Sequence, residues 1–368
     1  MANTRHDAPA GPSSVPGRAE DDGQRWEADV VLSDGGTVHI RPVRPDDTEL
    51  LESFHARQSR ESIYFRYFSP MPRLSSRELA RLTQVDYLDH LTLLALLGGE
   101  AIGLASYDRI GRSDEAEVAF ITDDRHHGRG LATVLLEWLV VAAREVGFRR
   151  LIAQVLPTNR SMLAVFHQTG FESTSTFDEG VVEVQLGLEP TAEALAAVEE
   201  RARRAEARSV ERLIAPTSVA VIGAGRERGG LGHEVFRNLL AFDFNGPVYP
   251  VNPQGGHVAS VRGYESVLDI PHEVDLAVVA VPAHEVLGVV DQCARKRVQG
   301  LVVMSAGLHG VGGLEVTAER ALVERARSHG MRLIGPESLG VINTDPAVAL
   351  HGSIADVEVL PGRVGFLT

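Results

Sequence analysis

The apolar and polar positions of this chain fall into short runs that predict its elements in order. Alternation over residues 117–122 reads as a strand with side chains on two faces. A polar turn follows. The apolar run 133–143 then sits inside a helix expected over 131–146, with Gly147 as its C-terminal stop. Residues 151–156 make a second strand, and Asn159 opens a further helix that closes at Gly170-Phe171. Residues 191–212 are rich in Ala, Glu and Arg, with Glu199, Glu200, Arg203 and Arg204 at i,i+3 and i,i+4 spacing, which reads as a solvated helical linker. Beyond it the rhythm changes. Apolar runs at 218–222, 248–252, 276–281, 300–304 and about 331–334 alternate with helical stretches, one from about Gly232 and one over 285–297. That alternation predicts a doubly wound parallel sheet. Residues 1–24 are rich in Pro, Gly, Ser and Asp without an apolar core, and read as a disordered tail rather than a signal peptide.

The turn after strand 117–122 changes the picture from architecture to chemistry. It reads Arg125-His-His-Gly128-Arg129-Gly130-Leu131-Ala132 and opens the helix. Glycines at 128 and 130 let the backbone turn tightly and approach a ligand closely. The unpaired N–H groups of the first helical turn converge on one spot, where the helix dipole adds partial positive charge. This is a cradle for pyrophosphate. Glu117 sits upstream on the strand that feeds it. A phosphate cradle beside a carboxylate is the layout of an acyl-CoA-dependent acyltransferase. Arg-x-x-Gly-x-Gly/Ala also occurs in ordinary loops, so the weight rests on its place between strand and helix.

With 368 residues the chain has length for two domains, each with its own core. The expected divisions are a tail over 1–26, an acyltransferase domain over 27–188, a helical linker over 189–213 and a second domain over 214–368. The net charge of −14 offers no basic face to nucleic acid, so no nucleic-acid partner is expected. No run of about 18 apolar residues suggests a membrane span, and a cytoplasmic location is expected. The single cysteine, Cys293, excludes an internal disulfide framework and reads as a buried or half-buried spectator. No metal is expected: the side chains of the adjacent His126 and His127 diverge and no Cys/His/Asp cluster flanks them. Lys296 is the only lysine among 36 basic residues, so an enzyme that modified lysines would have almost none of its own to modify.

The order of motifs resembles the GCN5-related N-acetyltransferase (GNAT) family. In that family the Arg-x-x-Gly-x-Gly/Ala loop holds the CoA pyrophosphate, the Asn matching Asn159 contacts the pantetheine arm, and the closing helix ends in Gly-Phe. The resemblance covers about residues 37–188. Val38-His-Ile40-Arg-Pro-Val-Arg-Pro45 resembles the fold's first strand and first helix start. The Glu61–Ser69 stretch, and 82–87 before a strand at 91–97, resemble a subgroup of protein lysine acetyltransferases fused to an NDP-forming acyl-CoA synthetase module. The fold implied is α/β, a mixed central sheet with flanking helices, followed by a Rossmann-like doubly wound domain. Acetyl-CoA is the implied cosubstrate, and a protein with a reactive lysine, such as an acyl-CoA synthetase, the implied partner. The residues implied to bind it are Phe120, Ile121, Arg125, His127, Gly128, Arg129, Gly130, Leu131, Ala132, Asn159 and Phe166.

The second domain carries loops at 223–226, 251–253, 281–283, 305–307 and 335–340 that resemble the CoA-binding domain of NDP-forming acyl-CoA synthetases. Its glycines read Gly-x-Gly-x-x-x-Gly, and Asn252-Pro253 stands where an NAD site needs an acid, so NAD is disfavoured. Two departures stand out. Glu337-Ser338 replaces the family's Asn-Cys, and Gly307-Leu-His-Gly replaces a Gly-Phe-x-Glu turn. A carboxylate there would repel a phosphate ligand. The chain stops at Gly365-Phe-Leu-Thr368, inside what reads as an apolar strand, and so reads as truncated before the ligase and ATP-grasp domains of such synthetases.

For catalysis, an acceptor lysine is protonated near neutral pH and must lose a proton before it attacks. Glu117 is the expected general base, matching the subgroup's catalytic position. Glu115, two residues away on the same face, competes. A backbone N–H near Ala119 or Phe120 would stabilise the oxyanion. Many relatives place a Tyr seven residues after the Asn. Phe166 stands there instead and is expected to pack on pantetheine, leaving solvent or His167 to protonate the thiolate. A small-molecule amine or protein N-terminus remains open as the acceptor, as does a non-catalytic CoA-sensing role.

Overall fold

Alternation along the first-domain strands sends successive side chains to opposite faces, and each face meets its own helices. In the computed structural model, which describes residues 25–308, 316–356, 359–360 and 362, eight strands form this sheet. They are β1 (Ala28–Val31), β2 (Thr37–Pro42), β3 (His90–Leu97), β4 (Glu100–Arg109), β5 (Glu115–Thr122), β6 (Arg150–Val155), β7 (Ser173–Asp178) and β8 (Val181–Gly187), ordered β1-β2-β3-β4-β5-β6-β8-β7. Every neighbouring pair is antiparallel except β5–β6. Three helices precede or flank the early strands: α1 (Thr48–Ala56), α2 (Arg60–Tyr67) and α3 (Ser76–Thr83). Leu94, Leu104 and Ile121 face Leu51, Phe54, Leu79 and Leu82 of α1 and α3. Their strand neighbours Leu93, Ala105, Tyr107 and Val118 face Leu135, Leu139 and Val140 of α4 (Leu131–Glu145) on the other side. Helix α5 (Arg160–His167) follows β6. The predicted strands and helices of 117–171 are observed within one or two residues.

The residues expected to link the domains form one 23-residue helix, α6 (Ala192–Ile214), capped by Thr191. It is not the solvated spacer expected from its charge. Ala194, Ala205, Ser209 and Leu213 are buried, and Gly35 of the β1–β2 turn lies so close that a Cβ there would stand 2.9 Å from the Arg208 carbonyl carbon. Leu213 belongs to the core of the second domain.

That domain is built on five parallel strands: β9 (Val219–Ile222), β10 (Val248–Val251), β13 (Leu276–Val279), β14 (Gly300–Val303) and β15 (Arg332–Ile334), in the order β10-β9-β13-β14-β15. Two short hairpins, β11 (His257–Val258) with β12 (Val261–Arg262) and β16 (Gly340–Asn343) with β17 (Leu350–Ser353), complete it. Ala277, Val279 and Leu301 meet Val286, Val290 and Leu322 of α8 (Ala283–Lys296) and α9 (Val316–Ser328) on one face. Val219, Val221 and Val278 meet Val235 and Phe236 of α7 (Leu231–Ala241), with Leu213, on the other. The sheet is therefore doubly wound, as expected. Cys293 is buried in it, which pushes its thiol pKa up to about 12. The residues of the expected tail up to 24, and the terminal apolar stretch at 365–368, lie outside the described residues.

Candidate active site

Strand β5 runs to Thr122 and β6 to Val155, yet their ladder pairs only Glu115–Glu117 with Arg150–Ile152. Past Glu117 the two strands part. Backbone groups on that edge of β5 are left without a ladder partner from β6, in a gap flanked by Phe120 and Asn159. The gap opens into a cleft of about 1260 Å³, larger than a typical small-ligand pocket and suited to an extended cofactor.

The glycine loop forms one wall. Gly128 has φ 76° and Gly130 φ 80°, both in the left-handed region that favours glycine. A Cβ at Gly128 would meet nothing within 4 Å, so this residue faces open space rather than packed chain. Gly130 is the N-cap of α4, makes no side-chain cap and is followed by no acid in the first turn. The N–H groups of a 15-residue helix are thus left to a ligand, and the cradle fits a pyrophosphate. His126, His127, Gly128, Gly130, Leu131 and Ala132 all line the cleft.

His126, which is not among the residues the family resemblance implies for the cofactor, adds a donor. Arg129 Nη1 lies 2.7 Å from His126 Nδ1. A guanidinium can only donate, so Nδ1 accepts and the proton of the neutral ring sits on Nε2. Burial and the Arg129 charge both lower the His126 pKa and keep that ring neutral. His127 turns its Nε2 to the Thr122 carbonyl at 3.2 Å.

The side chains of three residues implied to bind the cofactor, and that of His167, are placed elsewhere. Arg125 turns from the cleft and pairs with Asp123 (Nη2–Oδ2 2.8 Å) and Glu100 (3.3 Å). Its hydrogen bond and charge hold the buried Asp123 carboxyl down at about 2. Arg129 is likewise engaged, with Nε 2.6 Å from Asp34 Oδ2. Burial would raise the Asp34 pKa, but Arg129 and the Gly36 N–H outweigh it and keep the carboxylate ionised. Both arginines thus brace the loop instead of lining it. Phe166 is 1% exposed and packs edge-on behind Phe120 at 6.0 Å, so Phe120 meets the ligand space and Phe166 supports it. His167 is exposed at the end of α5 and is not part of the lining.

Asn159 lines the cleft and also caps α5, its Oδ1 accepting from Met162 N at 3.1 Å. Its amide nitrogen is the group left for a ligand. Phe120 and Ile121 both reach the cleft. Glu117 is exposed and lies three residues up β5 from Phe120, roughly 10 Å along the strand. It stands beyond the lined cleft, on the far side of the point where β5 and β6 part, opposite Asp108 of β4. Glu115 is tied to Arg150 at 3.1 Å. The other wall was not anticipated: Arg201, Ala202, Arg204, Ala205, Glu206 and Arg208 of α6 line the cleft. Among the described residues no cluster of His, Cys, Asp or Glu has the makings of a metal site, and no helix is long and apolar enough to cross a membrane.

Family comparison matches both the residues around this cleft and those of the second domain. Residues 57–171 match the acetyltransferase (GNAT) family, and residues 217–344 match a CoA-binding domain family. The chain is a GNAT acetyltransferase domain joined to a CoA-binding domain. It is 32% identical over 164 residues to acetyltransferase Pat of Mycolicibacterium smegmatis, covering 44% of this chain and 49% of that protein. It is 40% identical over 164 residues to the alpha subunit of ADP-forming acetate–CoA ligase I of Pyrococcus furiosus, covering 44% of this chain and 35% of that protein. The solved GNAT domain of S. lividans PAT is 47% identical, with 44% of this chain and 97% of that chain covered and a TM-score of 0.43. The chain spans between a third and a half of the length of these two curated relatives.

In the CoA-binding domain, the loops 223–226, 251–253 and 305–307 lie at the carboxyl ends of the parallel strands, where such sheets bind ligands. Glu337, whose carboxylate was expected to oppose phosphate, places Oε1 3.1 Å from the Gly307 N–H. Asn252 Nδ2 lies 3.4 Å from the Ala224 carbonyl.

Proposed function

We propose that this protein transfers an acetyl group from acetyl-CoA to the side-chain amine of a lysine in another protein, with Glu117 as general base. What supports this reading is the uncapped helix N-terminus behind Gly128 and Gly130 beside the gap between β5 and β6, with Glu117 at the last paired position before that gap opens. Acetyl-CoA supplies a thioester-activated acyl group. The chain's own residues do the rest. The α4 N–H groups and the neutral His126 hold the pyrophosphate, and Asn159 the pantetheine arm. Glu117 accepts a proton from the acceptor ammonium, directly or through one water, so that the amine nitrogen can form the new C–N bond. An N–H of the freed β5 edge stabilises the oxyanion. Phe166 cannot donate a proton, so solvent at the cleft mouth protonates the departing thiolate.

A cationic acceptor suits the electrostatics. The chain carries a net charge of −14, and Glu61 and Asp124 line the α2 side of the cleft. The test is incubation of the purified chain with labelled acetyl-CoA, with and without candidate acyl-CoA synthetases. Label on a synthetase lysine is the expected result. Label confined to small amines or protein N-termini would replace the acceptor, and no transfer to any amine would remove the activity.

A further inference from the structure

The cleft extends from the glycine loop in two directions. Inward it follows the gap past Phe120 and Asn159. Outward it is closed by α6, an element outside both family matches. If the pyrophosphate sits on the α4 N-terminus and the pantetheine runs inward, what remains to occupy the outward end is the adenosine with its 3′-phosphate, a dianion.

Charge at that end is unevenly balanced. Glu137 is paired with Arg201, Glu206 with Arg332, and Asp29 with His39 and Arg327. Arg204 is held by Glu200 at 2.5 Å. Arg208 differs from the other two arginines of α6 that line the cleft, Arg201 and Arg204. Its Nη1 donates to the Ser33 carbonyl, and among the described residues no carboxylate pairs with it. A guanidinium has five donors, so one bond to a carbonyl leaves the outer edge of the fork available. Ser33 also borders Gly130, whose Cβ would stand 3.0 Å from the Ser33 hydroxyl, so Arg208 is one residue removed from the cradle.

We propose that Arg208 of the interdomain helix binds the 3′-phosphate of CoA, making the cofactor site a composite of the acetyltransferase domain and the helix that leads into the CoA-binding domain. This rests on the acyl-CoA reading of the cleft. Arginine is the residue type that binds phosphate with a planar pair of charge-assisted bonds. Because α6 also places Leu213 in the second-domain core and Glu206 against Arg332, the nucleotide end of the cofactor meets a helix seated in both domains.

The test is calorimetry on the full chain with CoA and with 3′-dephospho-CoA, using Gly128→Val as the reference in which cleft binding is strongly weakened. The parent chain should bind CoA about tenfold more tightly than the dephospho form, the scale of one charged hydrogen bond. Arg208→Gln retains a donor for the Ser33 carbonyl but not the charge. It should weaken CoA about tenfold, leave 3′-dephospho-CoA unchanged and so erase the difference, while Arg208→Lys should keep most of it. If Arg208→Gln weakens both ligands equally, the arginine serves the pyrophosphate or the helix seat, and the proposal is wrong. A parent chain without preference also overturns it. Failure of the parent to bind either ligand in the cleft is a different result, and removes the acyl-CoA reading itself.

Discussion

Each domain has a glycine-rich turn at the carboxyl end of a strand, leading into a helix, and the two turns use glycine for opposite reasons. At Gly128 a side chain would enter open space, and the helix behind has no side-chain cap. At Gly223 a Cβ would stand 2.2 Å from the Ala280 carbonyl oxygen, and at Gly232 it would stand 2.4 Å from the Gly223 oxygen. The first turn is open at Gly128, whereas the second is packed against its own chain at Gly223 and Gly232 and open at Gly229. The polar groups differ in the same sense. Around the first turn Arg125 and Arg129 are held aside by Asp123 and Asp34, so backbone N–H groups face the cleft. In the second domain the Glu337 carboxylate already accepts the Gly307 N–H. The two turns thus differ most at the glycine that ends the strand of the second domain, Gly223, which packs on Ala280, and at Gly128, which faces open space.

The comparison can be broken most sharply by substitution at the two glycines. Gly223→Ala combines a φ of 93° with the clash on Ala280 and should destabilise the second domain by about 3 kcal/mol or more, read by urea unfolding. A loss under about 1 kcal/mol would mean that this turn, too, has room. Gly128→Val meets no clash and should cost only about 1–2 kcal/mol from its left-handed backbone. It should nevertheless weaken acetyl-CoA by about 100-fold in calorimetry, as two charge-assisted bonds are lost. Unchanged binding in that variant would remove the cradle.

A smaller effect is expected from the brace. Asp123 is depressed to about 2 in the folded protein, below its ordinary carboxylate value. Its contribution is therefore complete above about pH 4 and lost as pH falls through about 2. Stability should drop over that window by about 2 kcal/mol more in the parent than in Asp123→Asn. Identical acid profiles would show that the brace is not ionic. The smallest effect is a near-absence. Lys296 is the only lysine, sits on α8 and donates to the Ile270 carbonyl, far along the chain from the cleft. Mass spectrometry after incubation with acetyl-CoA should find it little modified, and rapid stoichiometric acetylation would place it at the active site.

Most of the architecture was legible because each signal was local. The apolar runs of the second domain became β9, β10, β13, β14 and β15, and the alternation at 117–122 became β5. Strand β1 was not foreseen: its four residues are half-exposed and show no apolar alternation. The glycine cradle was readable from spacing, since strand, turn and helix are contiguous. The roles of Arg125 and Arg129 were not, because their partners are chosen in space; Asp34 is 95 residues from Arg129. The α6 wall was missed for a related reason. Its arginines and glutamates suggested a solvated helix, and the buried stripe of Ala205, Ser209 and Leu213 at i,i+4 spacing is composed of residues too small, apart from the last, to register as an apolar face.

The central claim is that the open cradle and the carboxylate on the strand leading to it belong to one active site. It is tested most directly by Glu117→Gln, assayed for acetyl-CoA affinity and for single-turnover acetyl transfer to an acceptor protein. Affinity should stay within about twofold while transfer slows about 100-fold or more, the scale of losing a general base, and Glu115→Gln should do much less. Transfer at the parent rate in Glu117→Gln, or a larger loss in Glu115→Gln, would contradict the account.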